Sequence, residues 1–141
     1  MFERQGKIDE ATKLYIEGAK SKDAHSIYSL VRIYYLKNDI KNVNYWKDKL
    51  LNDTEVIDFH SDMEKYLNYL NGNENERKIA DLYMKSAQNI IMKNFSKAEK
   101  EEKERIKYSQ DELVNLAGFY SLFGDKSAGK RLFKEAYEKG L

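Results

Sequence analysis

Apolar residues recur along this chain at helical spacing, and one four-position face returns several times. Near the C-terminus Leu113, Leu116, Ala117 and Tyr120 fall at i, i+3, i+4 and i+7, Gly124-Asp125 interrupts, and Gly129, Phe133 and Ala136 resume at i, i+4 and i+7. The segment predicts two antiparallel helices closed by a tight turn. After Asp23, a suitable N-cap, Ile27, Leu30, Val31 and Tyr34 repeat the face. Asn38-Asp39 then turns the chain into a partner helix with Ile40, Val43, Trp46, Leu50 and Leu51 apolar. There Lys47 occupies the position matching Phe133, and Trp46 beside it is expected to supply the bulk.

From a helix beginning around Asp53-Thr54, Met63, Tyr66, Leu67 and Leu70 restate the pattern, and Asn71-Gly72-Asn73 ends it. Asn73 with Glu76 forms a capping box for a helix whose Ile79, Ala80, Tyr83, Met84 and Ala87 face inward. At the other end Gly6 marks a turn, and Ile8, Ala11, Leu14, Tyr15 and Gly18 give a face running to about Lys20, the second helix of a hairpin that lacks its first.

The turns set a period. Gly6 to Asn38 is 32 residues, Asn38 to Gly72 is 34 and Gly72 to Gly124 is 52. The first two distances match one helix-turn-helix repeat, and the third exceeds it by 18. The surplus is expected at 94–108, where Lys97 to Lys107 mixes both signs and pairs Glu99 with Lys103 and Glu101 with Arg105 at i, i+4. This pattern predicts a solvated helix or helical extension, with a mobile linker as the alternative reading. Ser109 with Glu112 supplies a capping box that restarts the final hairpin. The resulting organisation is a single helical-repeat domain over 1–141. It comprises a half hairpin at 1–21, hairpins at 23–52 and 54–93, a charged helical insertion at 94–108 and a hairpin at 109–140.

Composition narrows the chemistry. The absence of proline removes the strongest helix breaker and agrees with an all-α chain. The absence of cysteine excludes disulfides, thiol catalysis and cysteine-based metal sites, and is compatible with the reducing cytosol expected as the compartment. Twenty-five basic and 24 acidic side chains leave a net charge of +1, so a nucleic-acid partner is not expected. No run approaches 18 consecutive apolar residues, so no membrane span is expected. His25 and His60 stand 35 residues apart without a clustered carboxylate, and the seven glycines form no phosphate-cradling loop. Neither metal, cofactor nor catalytic residues are expected, and the eleven tyrosines read mainly as core.

The motif Ala11-x3-Tyr15-x2-Gly18-Ala19, then Asp23-Ala24, Leu30-x3-Tyr34 and Asn38-Asp39, resembles a tetratricopeptide-type repeat, in particular its Sel-like variant. Leu116-Ala117-x2-Tyr120-x3-Gly124-Asp125 with Phe133 and Ala136 carries the same resemblance. It implies a right-handed superhelical solenoid of antiparallel helix hairpins that binds a peptide or protein along the groove lined by the first helix of each hairpin. The half hairpin at the start and the closing run Ala136–Leu141 are expected of a segment of a longer solenoid, or else of a small protein with atypical capping ends. On the second hairpin the free stripe would be His25, Tyr28, Arg32, Tyr35 and Leu36, in which two tyrosines flank an arginine, the residue types that dominate interface hot spots, unless Tyr28 and Tyr35 instead pack against the preceding repeat. The matching stripes are Ser61, Glu64, Asn68 and Asn71, then Asp111, Val114, Gly118, Ser121 and Leu122. Two other readings stay open. One is self-association through end faces, Ile8/Tyr15 and Phe133/Tyr137, giving a homo-oligomer. The other is a small bacterial inhibitor or immunity-type protein that captures a single target.

Overall fold

The computed structural model of the chain describes residues 7–53 and 61–141. The turn expected at Gly6, the helix start expected after Asp53, His60, and the side chains of Ser61 and Met63 lie outside the described residues. Every regular element among the described residues is helical, and the chain divides into two compact bodies, Met1–Asn71 and Gly72–Leu141. The hairpin expected over 54–93 therefore takes in residues of both bodies.

The first body holds α1 (Ile8–Lys20), α2 (Ala24–Leu36), α3 (Ile40–Asn52) and α4 (Ser61–Tyr69). Short connections fold consecutive helices back, so that α1 packs on α2 and α2 on α3. Each connection is closed by its cap. Asp23 accepts from the Ser26 amide at 3.2 Å and the Ser26 hydroxyl at 2.6 Å, while Asp39 accepts from the Asn42 amide at 3.2 Å. The Ser26 hydroxyl is the main cause of an Asp23 carboxyl below its usual range. Lys22 reaches from the first connection to Asp53 at the end of α3, 2.6 Å away, and so links both ends of this arrangement.

Helix α2 lies at the centre, and every residue from Ser26 to Ile33 is buried. Full burial of each of Ile27, Leu30 and Val31 contributes about 1.5–3 kcal/mol, which makes this helix the main source of the body's stability. On α3 the buried side chain is Lys47 itself, with Val43 and Leu50, whereas Trp46 is only half-buried and stands edge-on to Tyr45 at 4.9 Å. The lysine stem fills the space that Trp46 was expected to fill, because its four methylenes pack as a hydrocarbon.

The second body holds α5 (Glu74–Ile91), α6 (Phe95–Arg105), a single 3-10 turn at Gln110–Glu112, α7 (Leu113–Phe123) and α8 (Lys126–Glu138). The capping box at Asn73 and Glu76 forms, with bonds of 2.8 and 2.9 Å. The helix expected to be solvated is instead the packing partner of α5. Ala98, Glu102 and Arg105, at i, i+4 and i+7, are its buried stripe. This geometry also replaces one expected surface pair. Glu101 accepts from Asn89 at 2.6 Å and Arg105 turns inward to Glu102 at 2.8 Å, while Glu99 and Lys103 do approach within 3.7 Å. Glu112 likewise does not cap Ser109. Ser109 accepts from the Asp111 amide at 3.3 Å, and the Glu112 carboxylate pairs with Arg105 at 3.3 Å.

Helices α7 and α8 form a hairpin turned at Gly124-Asp125, with Asp125 accepting from the Ser127 and Ala128 amides. Gly129 permits its close approach, since a Cβ there would stand 2.5 Å from Ser121 Oγ and 3.2 Å from the Ala117 carbonyl oxygen. Phe133, expected inward with Gly129 and Ala136, sits at the rim and is 42 % exposed.

Candidate functional site

The residues expected to line a binding stripe fall into three different situations. On α2, His25 is exposed and Tyr35 and Leu36 are half-buried, but Tyr28 and Arg32 are buried, Arg32 to 1 % exposure. The Arg32 guanidinium lies 5.9 Å from the centre of the Tyr28 ring, so the two form an internal cation–π contact rather than an open recognition surface. The stripe fails here because α2 is enclosed on all sides, not along one face. Tyr35 does line a shallow depression with Val43, Lys47 and Leu70. On α4, Glu64 and Asn68 are both exposed and share one face, four residues apart.

On α7 the stripe is open. Val114 is 38 % and Leu122 76 % exposed, and Gly118 sits between them at i+4 from each. A Cβ built at Gly118 meets nothing within 4 Å, so the helix backbone there is accessible to an approaching chain. Ser121 leaves the stripe: its hydroxyl donates to the Ala117 carbonyl at 3.0 Å, on the side where Gly129 of α8 closes in. The face left open is thus Val114, Gly118 and Leu122. It belongs to a helix without a single charged residue from Leu113 to Phe123.

Aromatic packing holds that helix end in place. Phe123 stacks on Phe95 of α6 with ring centres 5.1 Å apart and lies 5.8 Å from Phe119. Tyr120, on the adjoining side, engages Glu99 and Lys103 of α6; burial, followed by its hydrogen bond to Glu99, holds its phenol above the ordinary pKa. The result is an uncharged ridge, Val114 and Leu122, with a notch between them at Gly118.

The sequence reading missed two features. One is a buried cluster in the second body, where Ser86 donates to Glu102 at 2.7 Å, Glu102 accepts from Arg105, and Arg105 lies 5.5 Å from the Tyr83 ring centre and pairs with Glu112. The i, i+4, i+7 spacing of Ala98, Glu102 and Arg105 was the available signal, hidden because two of its three positions are charged. The other is the run of cations on α8, Lys126, Lys130, Arg131 and Lys134, beside the Phe133/Tyr137 face that was expected to be open, where Tyr137 is 84 % exposed.

No protein-family model, curated protein or solved structure matches the chain. Among the described residues no group of three or more His, Cys, Asp and Glu side chains is placed to hold a metal ion, and no helix is long and apolar enough to cross a membrane.

Proposed function

We propose that this chain is a non-catalytic protein-binding module of tetratricopeptide or Sel-like type, built as a helical-hairpin solenoid, and that α7 is its recognition helix. The observation that carries this reading is the open, uncharged ridge of Val114, Gly118 and Leu122 on the first helix of the α7–α8 hairpin. Exposing a side chain as large as Leu122 forgoes about 1.5–3 kcal/mol of burial, and a partner that covers it recovers that energy. The sequential packing of α1 on α2, α2 on α3, α5 on α6 and α7 on α8 supports the repeat architecture.

Photo-crosslinking tests the assignment. A benzoylphenylalanine placed at Val114, compared with one at the exposed Lys100 of α6, should give a discrete cross-linked partner in the native cell lysate only from the first position. The product should vanish when Leu122 is changed to Glu in a variant of unchanged helicity. Equal labelling from both positions, or none from Val114, overturns the assignment of α7.

A further inference from the structure

We infer that the outward face of α8 is a second docking surface, made for an acidic polypeptide segment with apolar anchors. Lys126, Lys130 and Lys134 recur every fourth residue, about 6 Å apart along the axis, and Phe133 and Tyr137 lie on the same face at 42 % and 84 % exposure. With Arg131, the helix carries four cations before its first acid, Glu135. Elsewhere Lys20, Lys37, Lys85, Lys103 and Lys139 approach carboxylates on their own chain. Lys126, Lys130, Arg131 and Lys134 have no ion-pair partner among the described residues.

The placement is not one that helix stability would select. The first turn of α8 has no acidic residue and opens on Lys126, where a positive charge opposes the helix dipole. Two exposed aromatic rings add a second unfavourable feature on the same face. An occupant that brings carboxylates to the lysines and apolar side chains to Phe133 and Tyr137 resolves both. The sign of charge also changes along the helix, since Glu135 and Glu138 follow the cations in the last turn. A polypeptide can match such a pattern residue by residue. A phosphodiester strand or an anionic bilayer would press uniform negative charge on Glu138 as well. This surface is separate from the Val114–Leu122 ridge and shares with the proposed function only the premise that the chain binds polypeptide.

The test is selection of a displayed library of random 16-residue peptides on the whole chain, run in parallel on wild type, a K126E/K130E/K134E variant and a V114E/L122E variant. The charge reversal puts Glu near the helix N-terminus and keeps α8 folded, which circular dichroism verifies. Wild type should select peptides rich in Asp and Glu with interspersed apolar residues. K126E/K130E/K134E should weaken those peptides at least about tenfold, the sum of three exposed ion pairs, and select Lys- and Arg-rich sequences instead. F133A/Y137A should weaken them as well. Selected pools that the charge reversal leaves unchanged overturn the inference, as does binding of phosphatidylserine vesicles without any acidic peptide enrichment, or concentration-dependent dimers that displace the peptides. Peptides lost in V114E/L122E alone would sustain the α7 ridge while removing the α8 surface; peptides lost in K126E/K130E/K134E alone would do the reverse.

Discussion

Arg105 Nε lies 3.3 Å from Glu112 Oε2, and both side chains are 1 % exposed. The pair joins the last residue of α6 to the turn that enters α7, so it ties the α5–α6 hairpin to the α7–α8 hairpin within the second body. Glu112 is itself fixed by Asn115, whose amide donates to the same Oε2 at 2.6 Å. Taking both charges out of water is costly, but removing one partner strands the other in a medium of low polarity, which costs more. Arg105→Met should therefore lower the unfolding free energy by about 3–5 kcal/mol in urea titration. Arg105→Met and Glu112→Gln should also be coupled, the double variant losing less than the sum of the singles by roughly 1–3 kcal/mol. Additive losses would show that the two side chains are buried side by side without acting on each other.

Glu102 has the opposite relation to solvent pH from the caps. Burial is the largest cause of its carboxyl lying above the usual range, outweighing the attraction of Arg105 and the hydrogen bond from Ser86, and the neighbouring Glu112 and Glu101 push the same way. A carboxyl whose folded pKa is raised contributes stability that is fully present below the unfolded pKa and is lost as pH rises through the folded value. Asp23 and Asp39, both held low by hydrogen bonds at helix starts, contribute in the reverse sense, and their stabilisation is lost as pH falls. Glu102→Gln separates the two. A Gln amide can donate to Ser86 Oγ while its oxygen accepts from Arg105, as the protonated acid would. The unfolding free energy of Glu102→Gln minus that of wild type should therefore become more positive from pH 4 to pH 7.5, measured by urea titration at each pH. A difference that is flat or falls over that range would place the ionised carboxylate among the stabilising members of the cluster.

The same two residues explain where sequence reading succeeds and where it stops. Period and cap chemistry are local, so Asp23 and Asn73 announce helix starts and the apolar faces of Ile27–Val31 and Leu113–Ala117 announce buried sides. The core of α6 is illegible to the same rule, because a hydrophobic count scores Glu102 and Arg105 as surface. Their burial depends on partners 16 residues back, at Ser86, and seven residues on, at Glu112. Tyr28 and Arg32 fail for a related reason. A spacing argument assigns one inner and one outer face to a helix, whereas α2 has no outer face from Ser26 to Ile33. Lys47 and Phe133, equivalent in the repeat register, show that register does not fix depth: the lysine is 5 % exposed and the phenylalanine 42 %. Of the expected site residues, His25, Glu64 and Asn68 are exposed, and Gly118 lies on an open face because α7 is covered on only part of its circumference.

Gly118 and Gly129 carry the sharpest contrast available to a single methyl group. Both are helical, so intrinsic propensity alone favours alanine at each by about 0.8–1 kcal/mol. At Gly129 the added Cβ would meet Ser121 Oγ at 2.5 Å, the Ser121 nitrogen at 3.1 Å and the Ala117 carbonyl oxygen at 3.2 Å. The hydroxyl can rotate away, but the two backbone atoms move only if α7 and α8 separate. Overpacking of this kind costs about 1–3 kcal/mol, enough to cancel or exceed the propensity gain. At Gly118 nothing lies within 4 Å, so the gain should appear in full. Thermal denaturation should accordingly place Gly118→Ala above wild type and Gly129→Ala level with it or below. The same pair bears on recognition: a methyl group at Gly118 fills the notch between Val114 and Leu122, so Gly118→Ala should bind α7-directed ligands more weakly while folding more stably. A Gly118→Ala chain that gained stability and kept full affinity would show that partners do not use the backbone at that notch.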